Sequence, residues 1–452
     1  MKFKKIILIL ILVLGIIDIS LFVFFGIAHI KEEDRGEEDA TSSLMNVNES
    51  VPLYLKTIPD IKSDLIFKKE AFVEINLSDM MVRIFNNGQT THEYQILAKG
   101  DLFSWGGTAA GLHKVIYKSK VAWSGAADVY MPYAVNFYGK YFVHGEPYYP
   151  GGEKLISDYS GGCIRLSDKD IKEFYSLVKA KMPVLVIDKN KDSYDYGSKT
   201  LTELPDISAT SYLVADIDNG FVLAQKNPEE RLPIASLTKL MTSMVISENV
   251  NLEKYITVTE KMLQDGYGPT TNLFAGQSYR ITELFYPLLI ESSNDAAYAL
   301  ASYLGQNNTI MKMNSKAKAI LMENTTFTDV SGYDPNNVSD VKDLFQLVRY
   351  INNVRPLIFK ITKGEKVKSF GFNRFFDTEF WNKNIFYLDD SLIGGKTGFI
   401  KQSKETGTFL FRFLDKDNNT RNVVIMVLGT DDVKRDVQRL YGWVNKNYFS
   451  PF

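Results

Sequence analysis

The order in which periodicities appear in the second half of the sequence is the strongest constraint on what this chain can fold into. Ser211–Asp216 and Gly220–Ala224 read as strand, turn and strand. From Ala235 to Glu248 apolar residues recur at helical spacing, and helical patterns dominate until about Asn353. Strand patterns return only at Thr408–Phe413 and Val423–Leu428. A last amphipathic helix then carries Val433, Val437, Leu440, Tyr441 and Val444. The late strands must find partners for their backbone groups among the early ones. The pattern therefore predicts one sheet packed with helices and interrupted by a helical insert.

Upstream the pattern changes. Ala71–Leu77 and Met80–Phe85 are short apolar runs, and the second ends at Asn86-Asn87-Gly88, a hairpin signal. Tyr94–Ala98, Lys114–Tyr117 and Tyr141–His144 continue as short strands. Asp168 opens a helix with Ile171, Phe174, Tyr175 and Val178 on its apolar face, and Val184–Ile187 reads as a buried strand. This region is mostly β. Residues 189–207 lack periodicity and read as a linker, and no internal repeat is apparent. A chain of 452 residues has room for two or three domains, and 45% hydrophobic with 23% charged residues is ordinary for folded material. A net charge of −2 without an extended basic block argues against nucleic acid as a partner. One cysteine excludes an internal disulfide, and with four histidines it argues against a structural metal site.

The N-terminus predicts where the chain resides. Lys2, Lys4 and Lys5 precede an apolar run from Ile6 to Ala28, interrupted only by Asp18 and Ser20. At about 1.5 Å per residue a helix of that length spans a bilayer. The far flank, Lys31 to Asp39, is mostly acidic, so the positive-inside rule predicts a cytoplasmic tip with everything downstream outside the cell membrane. A cleaved signal peptide is the alternative; against it, the run exceeds the usual ~7–15 residues and no clean small-x-small site follows. The expected organisation is a tip and transmembrane anchor over 1–30, a polar tether over 31–69, a β domain over 70–188, a linker over 189–207 and an α/β domain over 208–452.

Two sets of residues carry chemistry. The only cysteine, Cys163, stands in Ser160-Gly161-Gly162-Cys163-Ile164-Arg165, and His144 lies upstream in Val143-His144-Gly145. A thiol on a glycine-rich turn with an imidazole able to reach it is what a cysteine nucleophile requires; a buried thiol acting as a small hydrophobe is the commoner fate. His144 would take the thiol proton and later return it to the leaving amine. Backbone N–H groups of the Gly161-Gly162-Cys163 turn would bind the oxyanion. Arg165 would either hold a substrate carboxylate or sit in a structural ion pair. In the second set, Ser236 and Lys239 form Ser-x-x-Lys on one helix face, with Ser292-x-Asn294 and Lys396-Thr397-Gly398 following in that order. Asp390 stands where a phosphate-binding loop ending in Gly395-Lys396-Thr397 needs its first glycine, so that reading fails.

Residues 70–188, with His144-Gly145 and Ser160-x-Gly162-Cys163-Ile164-Arg165, resemble the catalytic domain of bacterial L,D-transpeptidases. Thr108–Val115 and Met131–Val135 are similar to further segments of that family. Two departures stand out. Gly161 occupies a place where many members carry a second histidine. Gly145 has no side chain, so a backbone carbonyl must orient the imidazole. The three serine-site motifs together resemble the penicillin-binding serine enzymes. Their flanks, Ala235–Thr242, Asn294–Ala297 and Asn324–Gly332, are most similar to the low-molecular-mass D-alanyl-D-alanine carboxypeptidases. No Glu-x-x-Leu-Asn follows Ser292, unlike in a β-lactamase.

The resemblance implies a multidomain chain: a transmembrane helix, a mostly-β L,D-transpeptidase domain, then the α/β, β-lactamase-like serine transpeptidase fold with its helical subdomain. It implies Ser236 as acylated nucleophile, Lys239 as its base and Ser292 as proton relay. Asn294 would hold the substrate amide, Lys396 and Thr397 the terminal carboxylate, and the Ser236 N–H with an N–H of the strand after Gly398 the oxyanion. Ser160, Gly162 and Arg165 would line the cysteine site. Peptidoglycan peptide stems are the implied partners and β-lactams covalent inhibitors, with no cofactor or metal. Three alternatives stay open: an L,D-carboxypeptidase, an inactive wall-binding module, and a serine domain acting as a D,D-endopeptidase.

Overall fold

The computed structural model describes residues 53–197, 199–266, 272–367, 373–415 and 417–449. The apolar run Ile6–Ala28 and most of the tether lie outside them. Among the described residues no helix is long and apolar enough to cross a membrane.

The end of the tether is helical, which corrects the expectation of an irregular segment up to residue 69. α1 (Ile58–Phe67) starts at Thr57, whose N–H and hydroxyl both donate to Asp60 Oδ2, and Pro59 sits in its first turn. Ile58, Ile61 and Leu65 cover Phe72, Phe85, Leu185 and Ile187. This stripe is three residues wide among charged neighbours, too thin to stand out as a periodicity.

The β domain holds two larger sheets and a short parallel pairing of Lys99–Gly100 with Tyr159–Ser160. β1 (Phe72–Asn76), β2 (Met81–Asn86) and β3 (Gln89–Gln95) form a meander, and the β2–β3 turn puts both Asn87 and Gly88 at positive φ, as a two-residue hairpin requires. Next come β4 (Gly111–Lys114), β5 (Tyr117–Ser124), β6 (Val129–Tyr138), β7 (Tyr141–His144) and β8 (Ile164–Arg165). α2 (Asp168–Leu177), capped by Ser167, and β9 (Pro183–Ile187) complete the domain. The sheets run β3-β2-β1-β9-β4 and β8-β7-β6-β5. β8 lies parallel to β7, pairing Ile164 with Val143 and Arg165 with His144. Cys163 therefore arrives beside β7 with no intervening strand.

The described residues between 189 and 207 form neither strand nor helix, yet several of them are tied down. The Tyr196 hydroxyl donates to Asp216 Oδ2 at 2.6 Å, and Arg421 joins Asp192 to Asp216. In the second domain, β10 (Ser211–Asp216) and β11 (Val222–Lys226) form the early hairpin. A short turn of 3-10 helix, Ala235–Leu237, leads into α3 (Thr238–Asn249), so Ser236 precedes the α-helix that was expected to begin at Ala235. α4 (Ile281–Leu289), α5 (Asn294–Ser302), α6 (Gln306–Ala319), α7 (Val341–Val354) and α8 (Pro356–Thr362) follow, then β12 (Leu392–Ile400), β13 (Lys404–Leu414), β14 (Thr420–Thr430) and α9 (Val433–Val444). The sheet order β11-β10-β14-β13-β12 places the late strands beside the early hairpin. β12 does not stand out in the residue pattern, which Gly394, Gly395 and Gly398 dilute; only the family resemblance pointed to a strand at Gly398.

The two domains share a core. Residues 51–452 form one unit, and Trp105 of the β domain packs on Phe285 of α4 with ring centroids 4.9 Å apart. Beneath them Glu248, at the end of α3, is buried between Lys316 Nζ (3.0 Å) and Arg355 Nη2 (3.2 Å), and the Tyr350 hydroxyl donates to it. Arg355 also crosses the boundary, donating to the Tyr141 hydroxyl and the Gly107 carbonyl, each at 2.6 Å. Replacing Glu248 by alanine strands two buried cations. We expect a loss of about 3–5 kcal/mol in urea unfolding; a loss below about 1 kcal/mol would show the cluster to be dispensable.

Candidate active sites

At the serine site Lys239 is fully buried, and its Nζ donates to Ser236 Oγ at 2.8 Å and to the Ser331 carbonyl at 2.7 Å. Burial drives its amine well below the ordinary lysine range, and the charge of Lys396 adds to this against the opposing pull of Asp329. The burial that disfavours its charge is imposed on an amine held against the Ser236 hydroxyl. The Ser331 carbonyl is fixed by a knot around Asp329. That carboxylate accepts from the Ser331, Gly332 and Asp334 N–H groups, and from Asn337, whose amide also donates to Thr238.

β12 closes the other side. It is the edge of its sheet, with β13 on one flank only. A Cβ at Gly398 would lie 2.8 Å from the Ser236 nitrogen, so glycine is what lets this strand approach the nucleophile's N–H. Lys396 is buried and donates to the Thr397 carbonyl at 2.9 Å; burial and then the nearby Lys383 push its amine down to about 7. The Thr397 hydroxyl donates to the Lys383 carbonyl at 2.8 Å. Ser292 sits at the corner between α4 and α5 with φ of 64°, a strained conformation outside glycine, and Ser293 caps α5 through the Ala296 N–H. α5 packs on α3, the helix that carries Lys239. The parts played by Ser331, Asn337 and Lys383 escaped sequence reading because two of them act through backbone carbonyls.

At the cysteine site His144 Nδ1 lies 2.6 Å from the carbonyl of Gly145, the residue without a side chain. That contact assigns the Nδ1 proton and leaves Nε2 to accept one. Burial lowers the imidazole to about 4 and raises the Cys163 thiol to about 11. The Phe142 N–H, Lys140 and Arg165 pull the thiol the other way. The resting pair is neutral on both sides. The thiol packs against the Met131, Ala134 and Phe142 cluster and points to the Lys140 carbonyl at 3.7 Å.

The Ser160 hydroxyl ties the turn by accepting from the Gly162 N–H at 3.0 Å and donating to the Cys163 carbonyl. The Gly162 N–H, one of the donors expected for an oxyanion, is thus engaged within the turn. Gly162 has φ of 117°, and a Cβ there would fall 2.2 Å from Tyr141 Cε1. At Gly161 a Cβ would meet nothing within 4 Å. Arg165 is buried; one nitrogen donates to the Ser157 carbonyl at 2.8 Å, Nε has no partner, and no carboxylate lies within ion-pair distance among the described residues.

A family model described as D-alanyl-D-alanine carboxypeptidase matches residues 198–431. The chain belongs to that family. A second model, the L,D-transpeptidase catalytic domain, matches residues 70–186. D-alanyl-D-alanine carboxypeptidase DacC of Escherichia coli (strain K12) is 30% identical over 220 residues, 45% of this chain and 53% of that protein. DacB2 of Mycobacterium tuberculosis is 30% identical over 213 residues, 45% of this chain and 70% of the relative. A D-alanyl-D-alanine endopeptidase of Pseudomonas aeruginosa is 29% identical over 254 residues, 53% of this chain and 78% of its own length. The chain thus spans about half the length of the E. coli carboxypeptidase. A crystal structure of D-alanyl-D-alanine carboxypeptidase from Mycobacterium tuberculosis H37Rv aligns with a TM-score of 0.46 at 26% identity, covering 54% of this chain and 93% of that one.

The Lys396 amine generates a pH test. It is charged below about 7 and loses its charge as pH rises through that value, which tests the expectation that it binds a carboxylate. For a peptide ending in a free carboxylate, KM should climb several-fold across this range, while a C-terminally amidated peptide shows no such climb. Equal behaviour of the two peptides would remove Lys396 from carboxylate binding.

Proposed function

We propose that the chain is a bifunctional remodelling enzyme of peptidoglycan peptide stems. Its serine domain is a D,D-carboxypeptidase and its cysteine domain an L,D-transpeptidase. The observation that carries the serine half is the buried Lys239 amine 2.8 Å from Ser236 Oγ. Lys239 takes the Ser236 proton as Oγ attacks the carbonyl of the last peptide bond. The Ser236 N–H and an N–H of β12 receive the oxyanion, and the free edge of β12 takes the extended stem as an added strand. Lys396 and Thr397 hold the terminal carboxylate and Asn294 the stem amide. Ser292 passes the proton from Lys239 to the departing D-alanine, and water then releases the tetrapeptide from Ser236.

In the cysteine half His144 Nε2 takes the thiol proton during attack, because thiol and imidazole are both neutral at rest. The acyl group passes to Cys163, its leaving amine receives the proton from His144, and the amine of a second stem displaces the thiolate. Arg165, with an unpartnered buried Nε, is suited to a substrate carboxylate. A D,D-carboxypeptidase leaves the tetrapeptide that an L,D-transpeptidase consumes. Both sites on one chain would raise the local concentration of that donor. The N-terminal apolar run would hold both at the outer face of the cell membrane, as its flanking charges suggest.

Purified chain incubated with pentapeptide muropeptides should release D-alanine and then form L,D cross-links. Ser236→Ala should abolish D-alanine release from pentapeptides, while supplied tetrapeptides are still cross-linked with loss of their own terminal D-alanine. Cys163→Ala should leave tetrapeptides that accumulate uncross-linked. Cleavage of a D,D cross-linked dimer, with no trimming of the pentapeptide, would favour the endopeptidase reading instead. Hydrolysis of tetrapeptides without cross-linking would make the cysteine domain an L,D-carboxypeptidase.

A further inference from the structure

The turn between β6 and β7 is where the serine domain reaches the back of the thiol. Lys140 offers its carbonyl to Cys163 Sγ. Its side chain leaves the β domain altogether: Nζ donates to the carbonyls of Ser247 and Val250, both at 3.1 Å. Those carbonyls end α3, the negative pole of the helix, a favourable seat for a cation. From its own domain the turn is braced by Asn136, whose amide donates to the Gly139 and Tyr141 carbonyls at 3.1 Å each. The next residue, Tyr141, packs its ring on Gly162 and takes a hydrogen bond from Arg355. The charges facing the thiol are Lys140 and Arg165, with His144 two positions along β7 from Phe142; those facing Lys140 are Arg355 and Glu248. One helix thus starts beside the Ser236 nucleophile and ends on the residue behind the Cys163 thiol.

We propose that Lys140 is a positioning residue of the cysteine site and is held in place by the serine domain. Docked on the end of α3, it fixes the carbonyl against which the thiol rests and sets a cation behind the developing thiolate. The role rests on Cys163 acting as a nucleophile. It assigns to the domain boundary a part of the cysteine chemistry that neither motif contains. Burial and then the charge of Arg355 lower the Lys140 amine to about 8, which leaves it mostly protonated at neutral pH.

The test is the pH dependence of Cys163 alkylation by iodoacetamide in the full chain, a readout of the thiol itself whether or not the domain transfers acyl groups. In Lys140→Met the alkylation rate near pH 7 should fall several-fold, and the deficit should shrink as pH rises past about 8, where Lys140 loses its own charge. Lys140→Arg should restore the rate near pH 7. Acylation of Ser236 by benzylpenicillin should stay within about twofold, which also reports an intact fold. Mere loosening of the turn would expose the thiol and speed alkylation. An unchanged or raised rate near pH 7 in Lys140→Met overturns the proposal. Should that variant fail to bind penicillin, Lys140→Gln keeps an N–H donor for the α3 carbonyls and removes the charge; the same loss of rate near pH 7 is expected, and its absence has the same consequence.

Discussion

Glu248 carries a carboxylate that no water reaches, and the two domains are arranged around its needs. Lys316 from α6 and Arg355 from the start of α8 supply the opposing charge, and Tyr350 supplies a hydrogen bond. Burial alone would push this carboxyl up; the two cations outweigh it and hold it below its ordinary value. A buried ion pair contributes little net stability compared with a well-packed apolar one, but breaking it is costly. What the cluster supplies is a fixed geometry. Arg355 has donors to spare, and it spends them on Tyr141 and Gly107 of the other domain. The boundary is therefore polar where it is most buried, and each domain completes the other's hydrogen bonding.

Burial acts at both candidate sites with opposite chemical results. It lowers the amine of Lys239, which lies next to Ser236. It raises the thiol and lowers the imidazole at Cys163 and His144, which leaves that pair neutral until a substrate arrives. A serine hydroxyl needs a standing base, since it never ionises by itself near neutral pH. A thiol does not, and a protonated resting state shields a lone cysteine from oxidation. The difference in packing follows the difference in nucleophile.

Much of the serine site was legible in the sequence because side chains at fixed helical spacing or within a short strand carry it. The Ser236–Lys239 pair needs only one turn of helix, and Lys396-Thr397-Gly398 needs only an extended edge. Elements that act through the backbone were not legible: the carbonyls of Ser331 and Lys140 have no residue signature. The fate of Gly162 was half legible. Its flexibility was expected, but its N–H being engaged by Ser160 was not. The domain boundary was invisible for a physical reason. Lys140, Lys316 and Arg355 read as solvated charges in a linear sequence, and only the folded chain shows which charges pair out of water. α1 and β12 do not stand out in the residue pattern, where a thin apolar stripe or intervening glycines hide the periodicity.

The central claim is that one folded unit holds two independent acylation sites, a serine and a cysteine. Intact-protein mass spectrometry tests it most directly, after separate exposure to a penicillin and to a carbapenem, with peptide mapping of each adduct. The expected result is a penicillin adduct at Ser236 that vanishes in Ser236→Ala, and a carbapenem adduct at Cys163 that persists in that variant. A folded chain whose Cys163 takes no carbapenem while Ser236 takes penicillin would contradict the account of two working sites.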